Sequence, residues 1–98
     1  MGLDEHIVRS EHLQVETVKL RLEFIRNELN IATTLANIAA REKRSGRLVH
    51  SARLKSKAET SHEKVKSYLS DKRISLAAED KDRLQDELKL LRDFLDTL

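Results

Sequence analysis

From Val15 onward, apolar and small residues recur in alternating steps of three and four: Val15, Val18, Leu22, Ile25, Leu29, Ala32, Ala36 and Ala39. That spacing keeps every one of these side chains on one face of an α-helix. A second strip, Phe24, Ile31, Leu35 and Ile38, widens the face toward the C-terminal end. A single strip suffices for a two-helix seam, whereas a wide face suits packing against two neighbours. The pattern therefore predicts a first helix over about residues 13–44 that enters the centre of the fold near Phe24.

Arg41-Glu42-Lys43-Arg44-Ser45-Gly46 marks its end. Cations complement the negative end of the helix dipole, and glycine takes the left-handed conformation that closes helices. A second helix is expected over about 48–69, with Leu54, Ala58, Ser61 or His62, Val65, and Tyr68 or Leu69 facing inward. Small residues on both helices predict a close antiparallel hairpin. Ser70 to Ser75 looks like the next turn, with Ser75 placed to cap a third helix over about 76–97. Leu84, Leu88, Leu91, Leu95 and Leu98 then step 4, 3, 4, 3, with Leu90 and Phe94 widening that face.

The expected fold is all-α: a three-helix bundle whose long first helix forms an antiparallel hairpin with the second, the third packed alongside. One helical domain over 1–98 accounts for the whole pattern. Punctuation agrees, because the chain has no proline and only Gly2 and Gly46, too few turn residues for a β fold. Aromatic residues make up 3% of the chain, so the core must come from Leu, Ile, Val and Ala. Small residues across the hairpin are loosely similar to a tetratricopeptide unit. The aromatic and glycine positions of that pattern are empty here, so no family is assigned.

Helix lengths raise a question of partners. At about 1.5 Å per residue, the first helix spans roughly 48 Å and the other two roughly 33 Å each. The stripe Val15, Val18, Leu22 and Ile25 then outruns the helices available to cover it. These four residues form the candidate interaction face, and a homodimer or another helical protein is the expected partner. The competing arrangement folds the third helix back over the stripe through Leu88, Leu91 and Leu95.

Charge changes this picture in one place. The chain carries a net charge of +2. Between residues 41 and 57 stand Arg41, Lys43, Arg44, Arg47, Arg53, Lys55 and Lys57 against the single acid Glu42, while each flanking part is slightly acidic. Such a segment attracts phosphates, so polyanion or nucleic-acid binding is the alternative function. The ordinary reading is a solvated turn: three of these cations belong at a helix C-terminus anyway, and no aromatic, Asn or Gln side chain interleaves to stack on or read bases.

Candidate chemistry is sparse. Glu59-x-x-His62 has the spacing of a ligand pair in helical di-iron bundles, but those use two such pairs and two further glutamates. His62 also lies on the apolar stripe beside Ala58 and Val65, where a structural histidine is the ordinary outcome. No serine has an evident general base, cysteine is absent, and Gly46 alone makes no phosphate loop. No enzyme activity, metal, cofactor or small-molecule substrate is expected. Acids in Met1-Gly2-Leu3-Asp4-Glu5-His6 occupy the place of a signal peptide's basic residues. With no apolar run long enough to span a bilayer, the expectation is a cytoplasmic protein without a membrane partner. The function expected is a small helical protein–protein interaction or assembly module that self-associates.

Overall fold

A computed structural model describes the backbone of residues 2–98 and the side chains of residues 19–98. It shows an all-α fold of three helices: α1 (Gly2–Arg44), α2 (Leu48–Ser70) and α3 (Ala78–Asp96). Helix α1 packs mostly against α2 as an antiparallel hairpin, and α3 lies alongside with a smaller contact. The α1 helix starts well before the expected residue 13. At about 1.5 Å per residue it measures roughly 64 Å, most of the molecule's 68 Å length.

The core forms where the periodic stripes meet. Ile25, Leu29, Ala32 and Ala36 from α1, Ala58, Val65 and Leu69 from α2, and Leu84, Leu88, Leu91 and Leu95 from α3 form one buried cluster. The small residues set the α1–α2 spacing. Ala32, Ala36, Ala39 and Ala58 have no exposed surface. With no bulk between them the backbones approach, and the buried Ser51 Oγ donates to the Ala39 carbonyl of the facing helix at 2.7 Å.

The hairpin turn follows from Gly46. Its φ of +81° lies in the left-handed region. That conformation turns the Gly46 N–H onto the Lys43 carbonyl and the Arg47 N–H onto the Glu42 carbonyl, at 3.1 and 2.9 Å. These two bonds are the Schellman closure, which satisfies carbonyls that a helix end leaves free.

The second connection differs from expectation. Ser75 caps nothing: α3 begins at Ala78, and the cap residue Ala77 offers no side-chain hydrogen bond. Packing overrides the capping signal here. Ile74 and Leu76 both fold onto the core. At about 100° per residue, a helix running back from Leu84 would turn each roughly 80° away from the buried stripe, in opposite directions. Non-helical backbone brings both inward. Asp71 organises the turn, its carboxylate accepting from the Arg73 backbone N–H at 2.9 Å and from the guanidinium at 3.1 and 3.0 Å. The Arg73 hydrogen bonds hold the Asp71 carboxyl below the ordinary aspartate value of 3.8. Arg21 Nη1 then donates to the Arg73 carbonyl at 3.3 Å and ties the turn to α1.

Candidate interaction surfaces

Two strips of α1 compete for burial, and the hairpin decides between them. Ile25 retains 1% of its surface and belongs to the chain's own core, while Leu22 is half-buried against that core. Ile25, expected on the partner face, is therefore covered from within by α2 and α3. Val15 and Val18 lie outside the described side chains. Among the described residues of α1, the second strip stays open. Leu20, Phe24 and Ile31 are 64%, 50% and 50% exposed, and Leu35 and Ile38 are half-buried.

Leu20, Phe24, Ile31 and Ile38 fall within about 40° of one another around the helix, roughly 120° from the Ile25 line. Phe24 meets Tyr68 of α2 edge to face, with ring centroids 5.5 Å apart at 62°. Beside that pair, Leu20, Arg21, Ile25 and Ile74 line a shallow apolar groove of about 330 Å³. A second groove, of about 390 Å³, runs between α1 and α3, where Asn30, Thr33 and Asn37 face Leu90 and Phe94. Leu90 is 69% exposed and so does not widen the buried face of α3. Leu20 escaped the reading of the sequence, although it continues the Phe24 strip one helical turn toward the N-terminus.

The basic segment splits into engaged and free cations. Lys43 Nζ donates to the Leu98 carbonyl at 2.9 Å, which places the end of α3 beside the hairpin turn. Arg47 lies 3.3 Å from Glu42 Oε2, and His50 Nδ1 lies 3.5 Å from the same oxygen. Lys55 approaches Glu59 at 3.9 Å. Arg41, Arg44, Arg53 and Lys57 are exposed and make no ion pair among the described residues. The cations therefore form no single continuous site. Arg41 and Arg44 stand at the end of α1, and Arg53 and Lys57 share an outer face of α2.

Glu59 and His62 each have another charged neighbour. Glu59 bridges Lys55 and Arg92, the latter at 3.8 Å. The Arg92 guanidinium also hydrogen-bonds Asp96, which pushes its pKa above the ordinary arginine value. His62 is buried, its Nδ1 3.6 Å from Glu63 Oε1. Among the described residues, no group of three or more His, Cys, Asp or Glu side chains is placed to hold a metal ion. No described helix is long and apolar enough to cross a membrane. No family model, curated protein or solved structure matches this chain.

Proposed function

We propose that this chain is a small, non-catalytic helical assembly module that pairs with a second copy through the Leu20, Phe24, Ile31 and Ile38 face of α1. The observation that carries the proposal is the exposure of three large apolar side chains in line on one helix. Scattered exposed apolar residues are ordinary on a protein surface, but a contiguous row marks a contact.

The spacing suits a copy of itself. Phe24, Ile31 and Ile38 repeat every seven residues, the period that keeps a seam facing a partner helix. An antiparallel two-fold pairing centred on Ile31 sets Phe24 of one copy against Ile38 of the other. The same pairing brings exposed Glu23 toward Arg41 of the second copy. Residues 20–38 run about 27 Å along α1. With the neighbouring flank of α2, the two copies would together bury on the order of 1,000 Å², the lower end for a specific interface.

Sedimentation tests it. The wild-type chain is expected to run as a dimer at micromolar concentration. Phe24→Glu with Ile31→Glu should give a monomer that keeps its helical circular dichroism, since both side chains already lie half in solvent. A wild-type chain that stays monomeric at high micromolar concentration would sink the proposal.

A further inference from the structure

The hairpin tip carries a second kind of exposed apolar surface. Leu48 and Val49, the first two residues of α2, are 63% and 70% exposed. Neither lines the grooves beside α1. Arg41, Lys43 and Arg44 occupy the last turn of α1, Arg47 precedes Leu48 directly, and Arg53 follows on α2. The only acid between residues 41 and 53 is Glu42, and Arg47 and His50 lie against it. The tip thus holds two exposed aliphatic side chains near the exposed Arg41 and Arg44 of α1 and Arg53 of α2.

We propose that this tip docks on the surface of an anionic lipid bilayer. Leu48 and Val49 enter the headgroup region while Arg41, Arg44 and Arg53 lie against acidic headgroups. Apolar insertion and electrostatic attraction act together in such peripheral contacts, and each alone is weak. The chemistry separates this occupant from the others. A nucleic-acid backbone would satisfy the cations but leave Leu48 and Val49 in water. A protein partner would need a pocket shaped for two side chains at a convex helix end, whereas a bilayer takes them without one. The expectation of no membrane partner rested on the lack of a spanning segment, and a peripheral contact needs none.

The test is cosedimentation of the full chain with vesicles of phosphatidylcholine alone and of phosphatidylcholine mixed with phosphatidylserine, with duplex DNA as a parallel probe. The wild type is expected to bind the phosphatidylserine vesicles at low salt, lose that binding as salt rises, and ignore phosphatidylcholine. Leu48→Ser with Val49→Ser should weaken vesicle binding about tenfold or more while circular dichroism and thermal melting stay unchanged. Three results would overturn the proposal. One is no binding to phosphatidylserine vesicles at low salt. Another is wild-type vesicle affinity in the double serine variant. The third is retention on duplex DNA that exceeds vesicle binding and is indifferent to that variant, which would assign the cations to nucleic acid.

Discussion

Ala36 has no exposed surface and sits in the core cluster of the bundle. Its value lies in its size, because small side chains let two helix backbones approach until Ser51 reaches the Ala39 carbonyl. Ala36→Leu is expected to destabilise the fold by about 1–3 kcal/mol, the usual cost of added volume in a packed core. Urea or thermal unfolding measures it, and an unchanged midpoint would place Ala36 on a surface. Asp71 acts differently, through charge. Its carboxyl is held below the ordinary 3.8 by Arg73, so its contribution is fully present above that value. As pH falls below 3.8 and through the lower folded-state value, protonation removes it. Asp71→Asn keeps an oxygen for the Arg73 N–H and removes the charge. The gap in melting temperature between wild type and variant should therefore be open at neutral pH and closed in strong acid. A gap that persists at low pH would show that shape, not charge, holds the turn.

The helices are bounded by different devices. The end of α1 depends on one backbone conformation, that of Gly46. A Cβ built there meets nothing within 4 Å, so crowding by neighbours plays no part. What remains is the intrinsic penalty of left-handed backbone for an L residue, roughly 1–2 kcal/mol. Gly46→Ala should lose that amount in equilibrium unfolding, and Gly46→Asn less, since asparagine tolerates the region better. Equal losses from both would point to a different origin. The start of α3 has no such local device. Ile74 and Leu76 folding onto the core set its beginning, so the capping potential of Ser75 goes unused.

Taken as a molecule, the bundle has a long α1, two shorter helices against it, and, among the described residues, exposed apolar side chains on α1, at the hairpin tip and at Leu90 of α3. The α1 row and the hairpin tip lie on different parts of the surface, so pairing and surface docking are independent and fail independently. Self-association has a thermodynamic signature of its own. If folding and pairing are linked, the melting temperature should rise with protein concentration, as mass action requires. The Phe24→Glu, Ile31→Glu variant should melt at one temperature whatever its concentration. A wild-type melt indifferent to concentration would count against pairing through α1.

The three helices and the hairpin turn were legible in the chain because their causes are local. Three-four stepping selects a helix face, and a glycine after a basic turn ends a helix, whatever lies nearby. Leu84, Leu88, Leu91 and Leu95 of α3 and the small residues of α1 and α2 were therefore placed correctly from spacing alone, whereas Leu90 was not. The choice between the two strips of α1 was not local. Each has helical period, and only the approach of α2 and α3 buried Ile25 and left Phe24 and Ile31 half in water. The late start of α3 has the same origin, since burying Ile74 and Leu76 outweighs a cap. Which cations of residues 41–57 stay free was also settled in three dimensions. Lys43 meets the end of α3, Arg47 and Lys55 meet carboxylates, and Arg41, Arg44, Arg53 and Lys57 face solvent. Periodicity reports which residues share a face. Burial depends on what long-range packing brings against that face.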